Sequence, residues 1–91
     1  SPTILPVPTL TFATFNIAKP NNTAVPSWKK RREAIGRTIN ESNSDVIGLQ
    51  EATQIRVVGE GGARMTHWQD IQAMSAAGGY LPTTTEVDTC C

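Results

Sequence analysis

Asp45-Val46-Ile47-Gly48-Leu49-Gln50-Glu51 is a short, nearly continuous apolar run that closes on two polar residues. It constrains the fold more than any other segment, because such a run is typical of a strand buried on both faces of a parallel sheet. A parallel partner needs a crossover of a dozen or more residues, usually a helix. The residues upstream supply both. Thr9-Leu10-Thr11-Phe12-Ala13-Thr14-Phe15-Asn16-Ile17 mixes β-branched and aromatic residues in near alternation and reads as a strand. Lys19-Pro20-Asn21-Asn22 ends it with turn chemistry. Ser27 is a suitable N-cap for a helix from Trp28 to about Glu41, with Asn43 or Ser44 able to end it. Trp28, Ile35 and Ile39 fall at i, i+7 and i+11, on one narrow apolar stripe. Strand, helix and strand form a right-handed crossover in nearly all known cases, and a parallel pair puts both strand C-termini on one sheet edge. Asn16 and Glu51, 35 residues apart, are therefore expected neighbours.

The flanks are less constrained. Residues 1–8 read as an extended lead-in, because each Pro fixes its own φ and biases the residue before it. Residues 52–65, with Gly59-Glu60-Gly61-Gly62, read as a long loop; no Lys-Ser/Thr follows these glycines, so they form a flexible connection rather than a phosphate cradle. Thr66-x-x-Gln69 is a capping-box pattern for a second helix over about 67–77, with Trp68, Ile71, Met74 and Ser75 on its apolar face and Gly78-Gly79 stopping it. His67, at the start of that helix, is expected at the surface; no other His or suitably spaced Cys joins it as a metal ligand. Tyr80 to Val87 is expected to begin another strand. There are no internal repeats and no second domain.

Composition narrows the functional classes. Hydrophobic residues make up 38% and charged residues 18%, and no apolar run approaches the roughly 18 residues of a spanning helix. Eight basic and eight acidic residues give zero formal charge, so no whole-chain electrostatic argument for binding nucleic acid holds and any basic surface must be local. Half of the basic residues form Lys29-Lys30-Arg31-Arg32. They are expected as a solvated helix face with one guanidinium stacked on Trp28. Four cations in a first helical turn oppose the helix dipole, so phosphate-backbone contact is the minority alternative. The Pro-rich start, abundant Thr, scarce Lys and the sequons Asn21-Asn22-Thr23 and Asn40-Glu41-Ser42 point toward a secreted, extracellular protein. Cys90 and Cys91 are adjacent and would need separate disulfide partners, so they stay reduced or pair elsewhere.

A carboxylate and an amide at the C-terminal ends of adjacent parallel strands occupy the usual place for ligand chemistry in α/β sheets. The bland reading of Glu51 is a solvated or salt-bridged strand-end carboxylate, and that of Asn16 a turn residue. The sharper reading is a cation site. Mg2+, with Mn2+ as its substitute, accepts one or two carboxylates, keeps several waters and takes phosphate oxygens as further ligands. Asn16 suits a phosphoryl oxygen or the attacking water.

Thr14-Phe15-Asn16-Ile17, then Trp28-x-x-Arg31 with Ile35 and Ile39, then Asp45-Val46-Ile47-Gly48-Leu49-Gln50-Glu51, resembles the opening of the endonuclease/exonuclease/phosphatase (deoxyribonuclease I-like) superfamily. Order and spacing agree across about residues 10–52. The resemblance implies the N-terminal β-α-β portion of an α/β (mixed α+β), two-sheet sandwich, with residues 9–91 an incomplete domain. It implies an Mg2+-dependent phosphoesterase or nuclease in which Glu51 and Asn16 are catalytic and metal-site residues, while Trp28 and Arg31 shape the first helix. The substrate would be a phosphate ester: nucleic acid, inositol phosphate or lipid headgroup. The family's catalytic His, Asp-x-Asn and Ser-Asp-His motifs are absent here. A C-terminal portion or second chain is therefore expected to complete the fold and supply the general base, and residues 1–91 alone are expected to be inactive and unstable as a monomer. The rival reading is a non-catalytic interaction protein that keeps only the strand–helix–strand scaffold.

Overall fold

A computed structural model describes residues 9–84. The lead-in, residues 85–87 of the expected last strand, and Cys90 and Cys91 lie outside the described residues. The rest is a small mixed α/β domain with two small sheets and two helices.

Strand β1 (Phe12–Asn16) pairs in parallel with β2 (Val46–Gln50), joined by helix α1 (Trp28–Glu41). The register runs from Phe12 opposite Val46 to Asn16 opposite Gln50. Asp45 locks its open end: one carboxylate oxygen, Oδ2, accepts the Thr11 backbone N–H at 2.8 Å and the Thr11 hydroxyl at 3.1 Å. Both strands are shorter than the sequence suggests. At Ser27 the expected side-chain cap is absent; its carbonyl accepts the Lys30 and Arg31 amides instead. Asn43, at φ +53°, turns the chain out of α1. The short polar side chain of Asn tolerates this left-handed conformation better than most.

Residues 52–65, expected as loop, contain a hairpin. Strand β3 (Arg56–Val58) pairs antiparallel with β4 (Arg64–Thr66), placing Val57 opposite Met65. Gly59-Glu60-Gly61-Gly62 is an ordered turn, with the Gly59 and Ala63 backbones bonded at 2.9 Å and Gly61 and Gly62 at positive φ. Gly59 is required by close approach, since a Cβ there would sit 2.6 Å from the Asp70 carboxyl carbon. Helix α2 (His67–Ser75) opens with the expected capping box: the Gln69 amide donates to Thr66 Oγ1 at 3.1 Å, and Thr66 N–H donates to Gln69 Oε1 at 2.9 Å. A 3-10 turn, Ala76–Gly78, extends it, and Gly79 at φ +83° ends it. Residues 80–84 form no strand.

The core is the predicted stripe of Trp28, Ile35 and Ile39 packed with Ile17, Ile71 and Met74. Complete burial of side chains such as Ile17 or Ile71 stabilises by roughly 1.5–3 kcal/mol each. Gly36 lets the helices approach, as a Cβ would lie 3.0 Å from that of Met74. Phe15, Ile47 and Leu49 rest on this core from the sheet's inner face. β2 is not buried on both faces, contrary to its composition. Val46, Gly48 and Gln50 face outward with Phe12, which is 71% exposed, because no described residue covers that side. The Asn40 sequon is occupied by packing: Nδ2 donates to the Met74 carbonyl at 3.0 Å and Oδ1 is buried.

Candidate functional site

β1 ends at Asn16, and β2 ends at Gln50, just before Glu51. The parallel register brings Asn16 and Glu51 together at the C-terminal edge of the sheet, where Asn16 Nδ2 donates to Glu51 Oε2 at 2.7 Å. Asn16 Oδ1 accepts the Ala18 amide at 2.9 Å. A backbone N–H can only donate, so this second bond fixes which end of the Asn16 amide faces Glu51. The other carboxylate oxygen, Oε1, accepts the Lys19 backbone N–H at 3.2 Å. The Asn16 side chain, then the Lys19 amide, then the Lys19 charge hold the Glu51 carboxyl below its ordinary range. Glu51 is therefore an exposed, ionised carboxylate at neutral pH. Its backbone sits at φ +63° and that of Ala18 at +57°, a conformation disfavoured for residues with a Cβ. Gln50, beside them, donates from Nε2 to the Gly48 carbonyl at 3.4 Å.

The basic run divides. Lys29 and Lys30 are exposed, as expected, but Arg31 and Arg32 turn inward. The Arg31 guanidinium lies 5.5 Å from the Trp28 ring centroid and donates to the Ile17, Ala18 and Pro26 carbonyls. Arg32 grips Asp70 with two bonds, of 2.9 and 2.7 Å, and reaches Glu60 at 2.8 Å. Asp70 is fully buried and also accepts Trp28 Nε1 and the Glu60 amide. Burial works against its charge, yet the Arg32 and Trp28 donors outweigh it and hold the carboxyl below the usual range. This network ties α1, α2 and the hairpin turn together.

His67 is not a surface residue; its exposure is 0%. Its Nδ1 accepts the Thr53 backbone N–H at 3.2 Å and lies 3.1 Å from the Thr53 hydroxyl, and its ring stands edge-on to Trp28 with centroids 4.2 Å apart. Burial, reinforced by nearby Arg31, pushes its pKa down to about 4. An accepting Nδ1 leaves the proton on Nε2, which has no partner among the described residues. His67 thus anchors the chain just after Glu51 rather than serving as an exposed titrating group. Sequence reasoning missed this pair, although His67, Asp70, Ile71 and Met74 share the i, i+3, i+4, i+7 pattern of a buried face.

As a metal site the arrangement is partial. Among the described residues no three His, Cys, Asp or Glu side chains converge. One carboxylate with a lone pair left on each oxygen suits Mg2+, which keeps most of its waters, and does not suit Zn2+, which takes three or four protein ligands. A separate depression of about 550 Å3, lined by Ile47, Leu49, Trp68, Ile71, Tyr80 and Pro82 among others, lies apart from Asn16 and Glu51. Its lining is mainly apolar.

No family model, curated protein or solved structure matches this chain. No described helix is long and apolar enough to cross a membrane.

Proposed function

We propose that the chain supplies one edge of an Mg2+-dependent phosphoesterase site of the endonuclease/exonuclease/phosphatase kind. The observation that carries this reading is the Asn16–Glu51 pair at the C-terminal edge of two parallel strands, with Glu51 ionised and held in an unfavourable backbone conformation. Backbone strain of this sort clusters at functional sites. Glu51 would hold the cation. Asn16 orients the carboxylate through one amide N–H and keeps a second N–H for a phosphoryl oxygen. Bound Mg2+ would supply charge neutralisation and a polarised water at the phosphorus. The general base and remaining ligands are assigned to a C-terminal continuation or a second chain, and the exposed outer face of β1 and β2 supports that assignment.

The test is hydrolysis of bis(p-nitrophenyl) phosphate by the intact protein with and without Mg2+. Activity that needs the cation and drops at least about a hundredfold in Glu51→Gln supports the reading. Hydrolysis indifferent to both cation and substitution would end it. The interaction reading draws on Phe12 and Val46, apolar and exposed on that outer face. Phe12→Ser would then abolish partner association without touching any phosphodiester chemistry.

A further inference from the structure

We propose that Arg31 is the positioning residue of the Asn16–Glu51 pair, acting on it through two successive peptide planes; the functional consequence rests on the phosphoesterase reading above.

From the first turn of α1 the guanidinium reaches back over the chain leaving β1. Nη1 donates to the Ile17 carbonyl at 2.7 Å, Nη2 to the Ala18 carbonyl at 3.2 Å and Nε to the Pro26 carbonyl at 2.6 Å. A trans peptide is planar and carries its C=O and N–H on opposite sides. The Ile17 carbonyl shares its plane with the Ala18 N–H, which donates to Asn16 Oδ1. The Ala18 carbonyl shares its plane with the Lys19 N–H, which donates to Glu51 Oε1. Each plane therefore has Arg31 on its oxygen side and one member of the pair on its hydrogen side.

The backbone at Ala18 makes this double relay geometrically workable. Successive carbonyls of an extended strand point opposite ways, whereas helical dihedrals turn them to one side. Ala18 adopts left-handed helical φ, +57°. That conformation is unfavourable for Ala, and the fork of Arg31 donors offsets its cost. Hydrogen bonds on both ends of a peptide also polarise one another, so a cation at the oxygen strengthens the donor at the nitrogen. Lys cannot substitute, since a point-like ammonium lacks the planar fork that engages three carbonyls at once. The competing account is that Arg31 merely staples the loop to α1.

The experiment compares wild type, Arg31→Lys and Glu33→Gln in the isotopically labelled intact protein. Glu33 is exposed on the same helix, two residues beyond Arg31. Expected in Arg31→Lys are roughly tenfold faster amide exchange at Ala18 and Lys19, and loss of the hydrogen-bonded shift of the Asn16 side-chain amide. The Ile35 and Ile39 amides should stay within about twofold of wild type. Affinity for Mn2+ alone, read by paramagnetic broadening, should fall about fivefold or more, with Glu33→Gln unchanged on every readout. Unchanged Ala18 and Lys19 exchange would overturn the proposal, and so would equal loss across all of α1, which marks a staple. Should Arg31→Lys be too unstable to measure, Arg31→Gln is read on the same amides. Faster exchange confined to Ala18 and Lys19 with weaker Mn2+ binding supports the relay, and unchanged exchange there or equal loss across α1 overturns it. Wild-type protein that binds no Mn2+ would sink the phosphoesterase reading and leave the amide result standing.

Discussion

Trp28 and Asp70, on different helices and 42 residues apart, are joined by a 2.8 Å hydrogen bond from the indole Nε1 to a fully buried carboxylate oxygen. Arg32 completes the charge pair from the next turn of α1. Removing one partner of a buried ion pair leaves the other uncompensated, at a cost of about 3–5 kcal/mol. Asp70→Ala is therefore expected to destabilise the fold by that amount, and urea denaturation should show it. Asp70→Asn keeps an acceptor for Trp28 and should lose less. Equal losses in the two variants would mean that the charge facing Arg32, which both lack, carries the whole effect and the acceptor for Trp28 adds nothing.

The acid limb of stability should report His67. Its ordinary pKa of 6.5 applies in the unfolded chain, against about 4 in the folded one. Between these values the unfolded chain binds the extra proton. Stability therefore falls as pH drops from about 6.5 to about 4, and His67 adds no further loss below that. The change over the whole window is on the order of 3 kcal/mol. Asp70, with its carboxyl held down, contributes a separate loss only at still lower pH, as it protonates through its folded pKa. Denaturation midpoints at pH 7, 5.5 and 4 should decline in the wild type and stay nearly flat in His67→Gln. A His67→Gln protein with the wild-type slope would remove His67 from this account.

Gly59 should be the least replaceable glycine of the hairpin turn. A Cβ would meet the Asp70 carboxyl carbon at 2.6 Å and the Met65 sulfur at 2.8 Å, and Asp70 cannot yield without releasing Arg32. Overpacking of this kind costs about 1–3 kcal/mol. Gly59→Ala is expected to lower Tm by several degrees, whereas an Ala at Gly61 or Gly62 meets no atom and suffers only from positive φ. Thermal melts of the three variants give the order directly.

These contacts also mark where the sequence stopped being legible. The β1–α1–β2 unit and the meeting of Asn16 with Glu51 follow from local periodicity and the rule that parallel strands share a C-terminal edge; both are present. The capping box at Thr66 is equally local. The β3–β4 hairpin was hidden because four residues of Gly-Glu-Gly-Gly dilute the β-branched signal of Ile55, Val57 and Val58, and its turn is secured from outside by Asp70. His67 was misread because a histidine at a helix start looks solvated unless its long-range partner, Thr53, is known. Arg31 and Arg32 lie in a run of four cations, yet they stand at i+3 and i+4 from Trp28 on the stripe that Ile35 continues, so helix periodicity separates them from Lys29 and Lys30. What it does not show is their partners, Asp70 and the Ile17, Ala18 and Pro26 carbonyls.

Glu51 offers the sharpest separation of stability from chemistry. Its φ of +63° disfavours any Cβ, whereas Gly adopts it freely. Glu51→Ala and Glu51→Gly both delete the carboxylate and both release Asn16 and the Lys19 amide, so they differ in the Cβ alone. Glycine's extra freedom in the unfolded chain works against it, but at positive φ the steric term is the larger. Glu51→Gly should therefore melt higher than Glu51→Ala, by about 3–5 °C. Both should be equally inactive in the Mg2+-dependent assay if Glu51 holds the cation. A Glu51→Ala protein at least as stable as Glu51→Gly would mean that the left-handed backbone at this position carries no strain. Equal inactivity with the expected order of melting would leave the carboxylate as the reason for the strained backbone.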